Sequence, residues 1–136
     1  MKITEKKIET FEDLTIFKKA RELSKVVYNI TREGEFCNDY RFAQQIRASS
    51  GSVMDNIAEG FERNGKKEYI NFLYIAKGSC GEVRSQIIRA YDCGYITKEQ
   101  ANDYYEQAKS LSVAIMNTIN SIVKSTSEGV KYDTRK

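Results

Sequence analysis

The chain has no proline and no histidine, and each absence removes a class of answers. Without proline nothing obliges the backbone to break, so long helices suit its 136 residues. Without histidine, di-metal bundles built on Glu-x-x-His motifs are excluded. So are Cys-His and Ser-His nucleophile systems, and with them four-helix RNases that depend on an Arg and a later His. Long apolar runs are also missing: nothing approaches the roughly 20 residues of a membrane span. The start of the chain lacks an apolar segment of signal-peptide length. Cys37, Cys80 and Cys93 form no close pair, which fits free, mostly packed thiols in a reducing compartment. The expected location is the cytoplasm.

Charge of one sign is scarce too. Lys and Arg exceed Asp and Glu by 22 to 19, a net charge of +3, well short of a dedicated nucleic-acid binder. Hydrophobic residues make up 40% and charged residues 30%, an ordinary balance for a single domain of this length.

What is present is helical periodicity. Residues 1–10 are polar and read as an N-terminal arm. Ile16, Ala20, Leu23, Val27 and Ile30 recur at spacings of four and three, which predicts a first helix from about residue 12 to about residue 32. Leu14, Phe17 and Val26 widen its stripe, and Glu12 and Asp13 suit its positive end. A short polar loop follows, Glu33 to Asn38, with Asn38 or Asp39 as the next N-cap. The second helix carries Phe42, Ile46, Val53, Ile57 and Phe61, flanked by Ala43, Met54 and Ala58. After the turn dipeptide Asn64-Gly65, Tyr69, Leu73, Ala76, Cys80, Val83, Ile87 and Ala90 form a seam of coiled-coil type. Gly94 ends this third helix. Thr97 and Gln100 make a capping box for a fourth, with Ala101, Tyr104, Ala108, Leu111, Ile115 and Ile122 on its apolar side. It should fade near Lys124. These elements predict an all-α, antiparallel, up-down-up-down four-helix bundle over residues 11–124, with a frayed tail at 125–136.

Two helices dip to small residues in the middle: Ser49, Ser50, Gly51 and Ser52 in the second, and Ala76, Gly78, Ser79, Cys80 and Gly81 in the third. A glycine inside a helix costs about 1 kcal/mol relative to alanine, so something must offset it. Close approach of the two helices at matched levels is the expectation, with a local kink as the alternative.

Ser52-Val53-Met54-Asp55-Asn56-Ile57-Ala58-Glu59-Gly60-Phe61, together with Lys67 to Ser79 and Glu82, closely resembles the 23S rRNA intervening-sequence protein family. Phe11-Glu12-Asp13-Leu14 and the turn Gly94-Tyr95-Ile96 fit it as well, so the resemblance spans roughly residues 11 to 123. Met54 stands where the family usually has proline, so a kink there should be weaker. The resemblance implies a four-helix bundle that assembles as a homopentamer and has no established catalysis. More distantly, the chain is similar to the accessory proteins of diversity-generating retroelements, which bind nucleic acid and a reverse transcriptase.

The surviving chemistry is that of carboxylates. Asp55, Glu59 and Glu62 follow one helical edge and Glu82 could face them, as a magnesium-dependent nucleotide-processing enzyme would require. Pairing of Glu59 with Arg63 and of Glu62 with Lys66 accounts for the same charges. No catalytic residue, metal or cofactor is expected. Asn56, Glu59, Gly60, Gly78, Ser79 and Glu82 read as a structural motif. In that motif Asn56 and Glu59 bond the turn or the first amides of the third helix and fix the hairpin or a subunit contact, with ligand binding as the alternative. Arg41, Arg47, Arg63, Lys66, Lys67, Lys77, Arg84 and Arg89 are the pool for an RNA or DNA surface. Tyr74 could stack a base, while Tyr69 belongs to the core. The chain thus reads as a non-catalytic homo-oligomer, a pentamer by its resemblance, that binds nucleic acid. The alternative is a scaffold that recruits another protein.

Overall fold

The computed structural model describes residues 8–127. Four helices, α1 (Thr15–Ile30), α2 (Tyr40–Glu62), α3 (Lys66–Asp92) and α4 (Lys98–Ser127), form the all-α antiparallel bundle. Residues 1–7 of the expected arm and 128–136 of the expected tail lie outside the described residues. The α3 seam is the spine: Tyr69, Leu73, Ala76, Cys80, Val83, Ile87 and Ala90 are all buried. Fully burying a Leu or Ile side chain contributes about 1.5–3 kcal/mol, and α4 sets Leu111, Ile115, Ile119 and Ile122 in the same core. α3 packs extensively on both α2 and α4, whereas α1 packs less on α2 and least on α4.

Local chemistry sets the ends of the elements. Helix α1 begins at Thr15, not near residue 12. The Asp13 carboxylate accepts the Glu9 and Thr10 N–H groups at 3.0 and 3.2 Å, which winds Phe11–Asp13 into a separate 3-10 turn. Leu14 is then extended, with ψ 133°. Asp13 therefore serves that turn, and neither it nor Glu12 stands in the first turn of α1. The loop expected to be polar holds a second 3-10 turn, Phe36–Asn38, whose Phe36 is fully buried. Its ring stacks on Tyr95 at 5.0 Å and meets Phe42 at 5.1 Å, closing one end of the bundle.

Asp39 caps α2 by accepting the Phe42 N–H at 3.3 Å, and its other oxygen accepts the Tyr95 hydroxyl at 2.7 Å. That bond pushes the Tyr95 phenol up to about 12, with burial adding to it. Gly94, at φ +80°, ends α3 in a Schellman turn: Tyr95 N–H reaches Ala90 O and Gly94 N–H reaches Tyr91 O, each at 2.9 Å. Thr97 and Gln100 cap α4 reciprocally, at 2.8 and 3.1 Å. Helix α4 continues past Lys124 to Ser127, and the buried Ser125 hydroxyl donates to Ile122 O. Only Cys80 is a packed thiol, pushed up to about 12 by burial; Cys37 and Cys93 are exposed.

Candidate nucleic-acid interface

The small-residue stretches of α2 and α3 meet at one point. Ser52 Oγ and Ser79 Oγ lie 2.9 Å apart, and the Asn56 amide donates to Ser52 O at 2.8 Å and to Ser52 Oγ at 3.0 Å. The glycines do not share in that approach. A Cβ at Gly51 or Gly78 would meet nothing within 4 Å, and one at Gly81 only the Arg84 side chain at 3.9 Å. Close packing falls instead on Gly60, where a Cβ would stand 2.7 Å from Phe72 Cβ and 3.3 Å from Tyr69 Cδ1. Gly60 continues the buried Val53–Ile57 stripe at i+7 and i+3, whereas Gly51 points away from it.

The expected bonds from Asn56 and Glu59 to the turn or to the first amides of α3 are replaced by others. Asn56 bonds back along α2, because a mid-helix carboxamide finds the carbonyl four residues earlier before any neighbouring helix. Glu59 accepts from Arg63 at 3.0 Å in a half-exposed pair, and the Arg63 guanidinium lies over the Phe72 ring at 5.0 Å. The hairpin is thus held by Gly60, Ser52–Ser79 and Arg63–Phe72. Among the described residues no ion pair joins Glu62 to Lys66, and no three Asp, Glu or Cys side chains converge as a metal site. Glu82 stands exposed on α3.

The eight expected cations do not form one surface. Arg89 donates to Gln45 Oε1 at 3.1 Å and lies 3.9 Å over Phe42, which puts it on the α2–α3 edge that Arg41 also follows. Lys66 and Lys67 stand at the α2–α3 turn beside Arg63. Lys77 and Arg84 share the α4 side of α3; both pull the Cys80 thiol down against its burial, and Arg84 lies 5.9 Å over Tyr105. Arg47 faces α1. Its Nε donates to Thr31 Oγ1 at 2.7 Å, and its guanidinium lies 4.8 Å over Tyr28. Arg32 approaches the same ring at 5.2 Å. Tyr28 and Arg32 escaped the sequence reading, although their spacing of four on one helix was a visible signal. Of the two tyrosines considered, Tyr69 is buried and Tyr74 is half exposed.

A family model described as 23S rRNA-intervening sequence protein matches residues 12–117. Among solved structures, the chain is similar to a protein of unknown function from the S23 ribosomal protein family of Bacteroides thetaiotaomicron VPI-5482. The TM-score is 0.68 at 21% identity, covering 77% of this chain and 98% of that one. At that identity the likeness speaks for the fold. No curated protein matches.

Proposed function

The chain belongs to the 23S rRNA-intervening sequence protein family, and from that premise we propose that it is a non-catalytic homo-oligomer that binds nucleic acid. The observation that carries the reading is the state of its arginines. Arg32, Arg47, Arg84 and Arg89 lie over aromatic rings, and among the described residues none has a carboxylate within ion-pair distance. Stacking holds a guanidinium in place without neutralising it, and its hydrogen-bonding fork stays available to phosphate. Repetition around a ring would multiply a patch that is weak in one copy, which is how a charge of +3 suffices.

The outer face of α3 supports assembly. Tyr74, Gly78, Gly81, Ser85 and Ile88 step by four and three on the side opposite the buried seam. Tyr74 and Ile88 are 50% and 51% exposed at its ends, and the glycines between them leave room for a neighbouring helix. A second copy is the occupant proposed, and the pentamer is the assembly proposed. The same face would also serve the alternative, a scaffold for another protein.

Light scattering before and after nuclease treatment, followed by RNA titration at rising salt, tests both parts. Phosphate contact predicts affinity that falls steeply with salt. Tyr74→Glu with Ile88→Glu should give a folded monomer. A stable oligomer that binds no RNA even at low salt would replace this reading with the scaffold.

A further inference from the structure

We infer that the groove between α1 and α2 grips a single strand of nucleic acid, with Arg32 and Arg47 as a phosphate clamp and Tyr40 as a stacking platform for a base. The inference rests on the nucleic-acid reading above and assigns it a place that the α2–α3 cations do not occupy. The groove, about 630 Å³, is lined by α1 from Arg21 to Asn29 and by Met54 of α2, and Tyr28, the ring beneath Arg32 and Arg47, joins it to the clamp at its edge. On the α2 side Tyr40, Arg47, Gly51 and Met54 follow one another at spacings of seven, four and three, a single edge of the helix. Gly51 keeps that edge low, since nothing lies within 4 Å of where its Cβ would be. This gives the glycine a role that packing between α2 and α3 does not.

The charge of the groove is one-sided. Glu22 is its acid and pairs with Lys25 at 3.3 Å. Among the described residues Arg21, Arg32 and Arg47 have no carboxylate within ion-pair distance. The groove on the other side of α1, about 590 Å³, makes the contrast: there Lys18 and Lys19 face Glu22, Asp103 and Glu106, so phosphate gains little.

The clamp is also built in advance. Thr31 is fully buried, and its hydroxyl donates to Val27 O and Tyr28 O at 2.9 Å each. Its oxygen is therefore turned to accept Arg47 Nε at 2.7 Å. That bond and the Tyr28 ring fix the guanidinium while leaving its two terminal nitrogens uncommitted. With two guanidinium groups over it, Tyr28 is not a surface for bases. Tyr40 is: it is 70% exposed, no ring or cation among the described residues covers it, and it lies about 10 Å along α2 from Arg47. A fixed guanidinium pair beside a free aromatic face suits two successive backbone phosphates and an unpaired base.

The test is fluorescence anisotropy of a labelled oligouridylate with the full chain, at salt from about 50 to 200 mM. Arg32→Gln with Arg47→Gln should weaken binding at least about tenfold at low salt and lower the salt slope by about 1.4, two phosphates at about 0.7 each. Tyr40→Ala should weaken it about fivefold or more with the slope unchanged. Lys109→Gln, exposed on α4, should change the affinity less than about twofold, since removing one surface charge far from the clamp costs little. Arg32 and Tyr40 are exposed and Arg47 is part-buried, so circular dichroism and a melting curve confirm folding of each variant. If the unaltered chain binds and the groove variants bind equally well, the groove assignment falls while the nucleic-acid reading stands. If the unaltered chain does not bind at low salt, both fall. Equal affinity for a duplex would overturn the single-strand assignment.

Discussion

Replacing each mid-helix glycine of α2 by alanine should have opposite effects at two positions nine residues apart. At Gly51 the new methyl enters open space, so only helix propensity acts, and the gain is about 0.5–1 kcal/mol. For a domain of this size that raises the melting temperature by about 3 °C. At Gly60 the same propensity gain meets Phe72 Cβ at 2.7 Å, a carbon fixed to the α3 backbone that cannot swing aside. Carbon atoms settle at about 3.5–4.0 Å, so α2 and α3 must part by about 1 Å. Overpacking of that kind costs about 1–3 kcal/mol, which leaves a net loss of up to about 2 kcal/mol. Urea denaturation followed by circular dichroism, at one protein concentration for all variants, reads the difference. Gly60→Ala as stable as Gly51→Ala, or Gly51→Ala clearly less stable than the unaltered chain, would refute the reasoning.

Two further outcomes concern the titrating groups. Of the three thiols, Cys37 and Cys93 should react at once with a disulfide reagent, and Cys80 only on unfolding, because it is buried and stays protonated. Reaction of all three in the native protein would contradict the core placement. In alkali, Cys80 is raised from 9.0 and Tyr95 from 10.0, each to about 12. Both groups hold their protons more tightly folded than unfolded, so their contribution is complete below about pH 9 and is lost as pH rises towards 12. The urea midpoint should fall across that window, and less steeply in Cys80→Ala with Tyr95→Phe; an unchanged pH dependence in that variant would contradict it.

The α3 seam was legible because seven residues, Tyr69 to Ala90, keep one period over six steps and tertiary packing needs nothing more of them. The caps at Asp39, Gly94 and Thr97 were legible for a different reason: capping is local chemistry within a few residues. The start of α1 was misread: Leu14 does pack against the core, but Asp13, one residue earlier, has already taken the backbone amides for its own turn. Phe36 was misread because a loop has no period to betray a buried ring. The glycines failed most instructively. Gly51 and Gly78 face open space whereas Gly60 meets Phe72, a difference fixed by their angle around the helix. Reading Val53, Ile57 and Gly60 as one stripe would have separated them. The clamp on Tyr28 was out of reach as a whole, since Arg47 joins it from another helix.

The uneven packing of the bundle divides it mechanically. Helix α3 packs heavily on both α2 and α4, while α1 packs more lightly on its two neighbours and has a groove beside it. Local opening takes the segment with the fewest tertiary contacts first, so α1 is a leaf on a three-helix block. A strand seated between α1 and α2 would then act as a splint, spending part of its binding energy on closing that leaf.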